Sequence, residues 1–103
     1  STLFPYTTLF RSGRFPFVGS GKAAVLNHSL GLVKIIADKK YKEIIGVHII
    51  GPHATELIAE AVLAMTLEST VDELAHAIHP HPTISEAMME AALSLVGGSI
   101  HMP

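Results

Sequence analysis

Two short runs, Leu32-Val33-Lys34-Ile35-Ile36-Ala37 and Ile44-Ile45-Gly46-Val47-His48-Ile49-Ile50, limit what this chain can fold into more than any other feature. Both are rich in β-branched residues, which pack well on a pleated surface, and both have the length of strands. The polar stretch Asp38-Lys39-Lys40-Tyr41-Lys42 between them has hairpin length. Side chains alternate across a strand, so Val33, Ile35 and Ala37 share one face of the first run. Ile45, Val47 and Ile49 share one face of the second. The opposite faces mix Leu32, Ile36, Ile44 and Ile50 with Lys34 and His48, so the sheet needs cover on much of both sides.

The cover is helical. After Gly51-Pro52 a helix is expected from about Ala54 to Leu67, with Glu56, Glu60 and Glu68 forming a narrow polar stripe. Leu57, Ile58, Ala61, Val62, Ala64 and Met65 occupy the other sides, which predicts burial over most of its circumference. Thr70-Val71-Asp72-Glu73 is a capping-box pattern opening a short helix to about Ala77. A last helix is expected from Thr83 or Ser85 to Val96, closed by Gly97-Gly98. Ahead of the hairpin, Arg14 to Val18 reads as a strand, with Pro16 confining it to an edge or its beginning. Gly19-Ser20-Gly21 turns the chain, and Asn27-His28-Ser29 is a further break. The fold class expected from these elements is α+β, an antiparallel β-sheet flanked by helices.

A chain of 103 residues makes one domain, and 49% apolar content is high for so small a core. The surplus must cover a partner or stay exposed. No run approaches the roughly 18–20 apolar residues that span a bilayer, so a protein interface is the better explanation and no membrane is expected. A net charge of −2 gives no basic footprint for nucleic acid. With no cysteine there is neither a disulfide framework nor a thiolate nucleophile, which fits a cytoplasmic protein. Gly-Ser-Gly at 19–21 lacks the spacing of a dinucleotide-binding loop.

The N-terminal string Thr2-Leu3-Phe4-Pro5-Tyr6-Thr7-Thr8-Leu9-Phe10-Arg11-Ser12 shows neither helical nor strand periodicity and lacks the apolar core of a signal peptide. It reads as a translated sequencing-library adapter. Residues 1–12 are therefore expected to be an artefact and disordered, with the domain occupying 13–103 as the C-terminal end of a larger protein.

Chemistry concentrates in His79-Pro80-His81-Pro82-Thr83-Ile84-Ser85-Glu86. Of the other histidines, His28, His48 and His53 read as structural or solvated. His76, His79 and His81 crowd one segment, but no fourth ligand of clear metal spacing follows and two prolines stiffen the backbone, so no metal site is expected. Thr83-x-x-Glu86 is a second capping-box pattern, and Glu86 can serve simply as a cap. The same place suits a carboxylate that accepts a hydrogen bond from one nitrogen of His81, fixing its tautomer and leaving the other nitrogen as a base. Both readings stand on the residues alone. Pro82 holds His81 in extended geometry, and the bond between them is one that can be cis.

His81-Pro82-Thr83-x-x-Glu86, preceded by His79, resembles the terminal motif of the dihydrolipoyl dehydrogenases, flavin-dependent members of the pyridine nucleotide–disulfide oxidoreductase family. The resemblance continues through Gly13-Arg14-Phe15-Pro16-Phe17, Gly31-Leu32-Val33-Lys34-Ile35, Ile45 to Pro52, Glu56 to Ala61, and Glu86-Ala87-x-x-Glu90-Ala91-Ala92. It covers residues 13–103 in order and corresponds to the family's C-terminal dimerisation domain.

That resemblance implies a homodimer in which His81 is the acid–base for dihydrolipoamide and Glu86 orients it. It places the His81-Pro82 backbone beside the FAD and redox disulfide of the other subunit. FAD and NAD would be bound by domains upstream of Gly13, so the fragment alone should be inactive. Its substrate would be a dihydrolipoyl-bearing protein of a 2-oxoacid dehydrogenase or glycine cleavage complex. Glutathione reductase-like members carry the same histidine–glutamate motif, so the dyad alone does not choose the branch. His79 and Ala87-Met88-Met89-Glu90-Ala91-Ala92 look closer to the lipoamide branch, and mercuric reductase-like members generally lack the histidine. A non-catalytic oligomerisation module is the alternative from another class.

Overall fold

The computed structural model describes residues 9–17 and 30–96. Three strands, β1 (Phe10–Pro16), β2 (Leu32–Asp38) and β3 (Ile44–Ile50), form one antiparallel sheet in the order β1-β2-β3. Helices α1 (Ala54–Thr66), α2 (Val71–His76) and α3 (Glu86–Val96) follow in sequence. The α+β architecture expected from the sequence is the observed one. The 19–21 turn, His28 and the Gly97-Gly98 stop lie outside the described residues.

The hairpin forms as its sequence dictates. Asp38 accepts the Lys40 N–H at 3.1 Å and also the Tyr41 N–H, and Lys42 at φ 65° completes the reversal. Val33, Ile35 and Ala37 are all buried on one face of β2. On β3 the expected alternation fails. Ile36 pairs with Gly46 but Ala37 pairs with Ile44, a bulge that skips Ile45. The extra residue reverses the facing of everything before it. Ile44 turns inward at 2% exposure, while Ile45, expected to share a face with Val47 and Ile49, is 48% exposed.

Strand β1 also departs from expectation. Phe10, Arg11 and Ser12, assigned to a disordered segment, pair with Asp38, Ala37 and Ile36. A strand edge offers backbone donors and acceptors to any extended neighbour, so pairing does not require apolar periodicity from the residues that join it. Residues 1–8 and Val18 lie outside the described residues.

The core lies between the sheet and α3. Phe15 and Phe17 from the β1 side meet Val33 and Ile35 of β2, with Ala87, Met88, Ala91 and Ala92 of α3 closing over them. Small residues set the helix–sheet distance. A methyl group built on Gly13 would stand 2.3 Å from Ser94 Oγ, 2.7 Å from Leu95 Cγ and 2.8 Å from the Ala91 carbonyl oxygen. α2 is joined to the hairpin: Ile44 N–H donates to the Ser69 carbonyl at 3.0 Å and Val71 N–H to the Lys42 carbonyl at 2.9 Å. At its start the Glu73 carboxylate accepts the Thr70 N–H at 2.7 Å, as the capping pattern predicts.

Helix α1 corrects the expectation of near-complete burial. Only Ala61 is buried; Leu57, Ile58 and Ala64 pack on the core from its edge, and Val62, Leu63, Met65 and Leu67 are exposed. The sheet has room for one face of α1, and nothing within the described chain covers the other.

Replacing Gly13 by alanine should lower the unfolding free energy by about 1–3 kcal/mol, the usual cost of overpacking. Chemical denaturation of the chain measures it, and an unchanged midpoint would show that α3 can shift without penalty.

Candidate functional site

Residues 77–85 carry no helix or strand and connect α2 to α3. The segment is held by a few contacts. Ile84 is buried, whereas Ile78 is 99% exposed. Thr83 Oγ1 donates to the Pro80 carbonyl at 2.7 Å and lies 2.9 Å from Ser85 Oγ. The His81-Pro82 peptide is cis.

Glu86, the first residue of α3, fills both roles that its sequence position allowed. Its Oε1 accepts the Thr83 N–H at 2.9 Å, half of a capping box. The Thr83 hydroxyl, engaged with Pro80, does not supply the reciprocal half. The same carboxylate faces His81, whose Nδ1 lies 3.1 Å from Oε1 and 3.0 Å from Oε2. A carboxylate can only accept, so Nδ1 carries the proton and donates it. In the neutral ring Nε2 then keeps its lone pair. The His81 side chain is 72% exposed against 15% for Glu86, so a ring oriented from inside presents its basic edge outward. Backbone anchoring of Glu86 and orientation of His81 are one arrangement, not rivals.

A second histidine–carboxylate pair went unread in the sequence. Glu60 of α1, a member of the narrow polar stripe, has its Oε2 2.5 Å from His79 Nε2, and His79 Nδ1 lies 2.9 Å from the Ala77 carbonyl oxygen. The two residues are 19 positions apart, and no local spacing links them. The His79 side chain is only 5% exposed. Its pKa is raised above 6.5, chiefly by the Glu60 hydrogen bond and against the opposing effect of burial, with smaller contributions from the Ala77 carbonyl and the Glu86 charge.

The other described histidines stand apart from this cluster. His76 Nδ1 is 2.7 Å from the Asp72 carbonyl oxygen one helical turn back. His48 is an exposed strand residue opposite Lys34, and His53 precedes α1 with φ 63°. His76, His79 and His81 thus turn to different partners. Among the described residues no group of three or more His, Cys, Asp or Glu side chains converges as a metal site would require. No helix among them is long and apolar enough to cross a membrane.

The fold and this motif together define a class. Residues 6–92 match the pyridine nucleotide-disulphide oxidoreductase dimerisation domain, and the chain belongs to that family. The matched span begins ahead of Gly13, in keeping with the pairing of Phe10 to Ser12.

Among its relatives, dihydrolipoyl dehydrogenase of Bacillus subtilis is 54% identical over 89 residues, which take in 86% of this chain and 19% of that protein. A mitochondrial dihydrolipoyl dehydrogenase of Arabidopsis thaliana is 45% identical over 93 residues, 90% of this chain and 18% of its own length. The crystal structure of LpdA from Mycobacterium tuberculosis superposes with a TM-score of 0.79 at 30% identity, covering 84% of this chain and 19% of that one. The chain thus spans about a fifth of the length of the relatives it matches.

The raised pKa of His79 has a consequence for stability. A group that binds its proton more tightly when folded stabilises the fold fully below its unfolded pKa of about 6.5, and that contribution is lost as pH rises through the folded value. The melting-temperature gap between the chain and its Glu60→Gln variant should therefore be widest near pH 6 and narrow as pH is raised. A gap independent of pH from about 5.5 upward would contradict the pairing.

Proposed function

We propose that this chain is the C-terminal dimerisation domain of a dihydrolipoyl dehydrogenase and that His81, oriented by Glu86, is the acid–base of a site shared between two subunits. The observation that carries the reading is the exposed His81 ring held through Nδ1 by a carboxylate which the backbone itself fixes.

His81 Nε2 takes the proton from one thiol of a dihydrolipoyl group, leaving a thiolate able to attack a disulfide. The imidazolium that forms is stabilised by Glu86 through Nδ1, and it gives its proton to the sulfur released from the attacked disulfide. The freed Nε2 takes the second thiol's proton as that thiol's sulfur displaces the remaining cysteine and closes the lipoyl disulfide. Over the whole reaction the dithiol loses two electrons and two protons and becomes a disulfide. FAD, with NAD as the final acceptor, supplies the redox chemistry when bound by the enzyme's other domains. This chain has no cysteine, so the redox disulfide must likewise come from elsewhere in the enzyme. The fit of this chain to FAD is limited to His81 and Pro82, both exposed, whose backbone is accessible to a group carried by a second subunit.

Homodimerisation is supported by the uncovered apolar face of α1, since Val62, Leu63 and Leu67 are exposed beside a helix that the sheet covers on one side only. The substrate is a dihydrolipoyl-bearing protein of a 2-oxoacid dehydrogenase or glycine cleavage complex, and the identities to dihydrolipoyl dehydrogenases favour this branch over a glutathione reductase-like one. We place the enzyme in the cytoplasm, a compartment that keeps a dithiol substrate reduced. Alone, the chain has no electron acceptor and no turnover.

A chimaera in which this chain replaces the corresponding segment of the Bacillus subtilis enzyme tests the reading. His81→Ala should lower lipoamide-dependent NAD reduction by on the order of 10²–10⁴-fold while FAD stays bound. Glu86→Ala should cost less turnover than His81→Ala and should also lower the melting temperature, because it removes a cap. Near-normal turnover in His81→Ala would leave the dyad a structural cap and favour a non-catalytic interaction module.

A further inference from the structure

The segment that presents His81 has no regular structure of its own, yet a general base must stand within a fraction of an ångström of its productive position. Two of its side chains reach into the fold: Ile84 beyond His81, and His79 before it. On the Ile84 side, Glu86 fixes both Thr83 and His81. On the other side, among the described residues, the side-chain hydrogen bond that joins residues 77–80 to another element is that of His79 to Glu60 on α1. Pro80 is the only residue between His79 and His81, and its carbonyl accepts the Thr83 hydroxyl. Displacing His79 therefore moves one end of the turn that carries His81.

The protonation state follows from the partners. The Glu60 carboxylate and the Ala77 carbonyl are both acceptors, and a neutral imidazole has one N–H to give. Only the doubly protonated ring satisfies both contacts. The charges facing His79 from other elements are Glu60 of α1 and Glu86 of α3, both negative.

We propose that His79, clamped between Glu60 and the Ala77 carbonyl, is a positioning residue that holds the His81 turn in place for proton transfer. The inference rests on the reading of His81 as the acid–base. It assigns complementary tasks to the two histidine–glutamate pairs: one pair carries the proton, and the other stays charged and anchors the turn to α1.

The imidazole NMR spectrum of the 103-residue chain tests the clamp directly, in the unaltered form and in the Glu60→Gln and Glu56→Gln variants. At about pH 7 the unaltered chain should show His79 protonated on both nitrogens and His81 in a single tautomer with the proton on Nδ1. In Glu60→Gln, His79 should lose its second proton at lower pH, and His81 should then become a mixture of tautomers. Glu56→Gln, on an exposed position of the same helix, should change neither. His81 keeping its single tautomer in Glu60→Gln would overturn the proposal, as would a singly protonated His79 in the unaltered chain. If Glu60→Gln loses its dispersed amide spectrum, His79→Asn provides the same comparison, since it retains a donor toward Ala77.

In the chimaeric enzyme, Glu60→Gln should lower kcat by about tenfold with little change in KM, the mark of a misplaced base. An unchanged kcat overturns the positioning role. Should His81→Ala instead prove silent while the spectra behave as expected, the acid–base reading fails and the clamp remains as a structural contact.

Discussion

The carboxylate of Glu86 is the interaction on which the functional surface depends. It stands at the start of α3, where backbone N–H groups lack helical partners and a negative charge is favoured. It accepts the Thr83 N–H and the His81 Nδ1–H together. One group thereby terminates the connecting segment, begins the helix and chooses the tautomer of an exposed histidine. Had Glu86 only capped the helix, His81 would be a free surface ring. Had it only met His81, it would not also tie the connecting segment to the start of α3.

The rest of the fold keeps Glu86 still. α3 is the element that closes the core, with Ala87, Met88, Ala91 and Ala92 buried immediately after Glu86. Its close approach at Gly13 fixes the helix against β1, so the end of α3 that carries Glu86 inherits the rigidity of the sheet. α1 plays a different part. It contributes Glu60 to the His79 contact from one side and leaves an apolar face open on another. An apolar face left open in this way suits a domain of a dimerisation family.

Much of this was legible in the sequence because it is local. Hairpin, loop and helix starts follow from strand alternation, the polar Asp38 to Lys42 stretch and two capping patterns, each needing only a few neighbouring residues. The His81–Glu86 contact was legible for the same reason, five positions being within reach across a turn. What escaped was set by tertiary context. The bulge that turns Ile44 inward and Ile45 outward depends on how β3 registers on β2. The pairing of Phe10 to Ser12 depends on an open strand edge. Glu60 looks like any solvated helix glutamate until α1 is laid beside the segment carrying His79. The burial expected for α1 failed because its apolar residues face outward from this chain.

The central claim is that His81 serves a flavin and disulfide belonging to the other subunit. Mixed dimers of the chimaeric enzyme test it most directly, pairing a subunit that carries His81→Ala with one whose redox cysteines are replaced by serine. Each parent homodimer is inactive. If the site is shared, each mixed dimer contains one complete site, an intact disulfide facing an intact His81, and about half the activity of the unaltered dimer returns. If His81 acts within its own subunit, the mixed dimer has no complete site and stays as inactive as its parents.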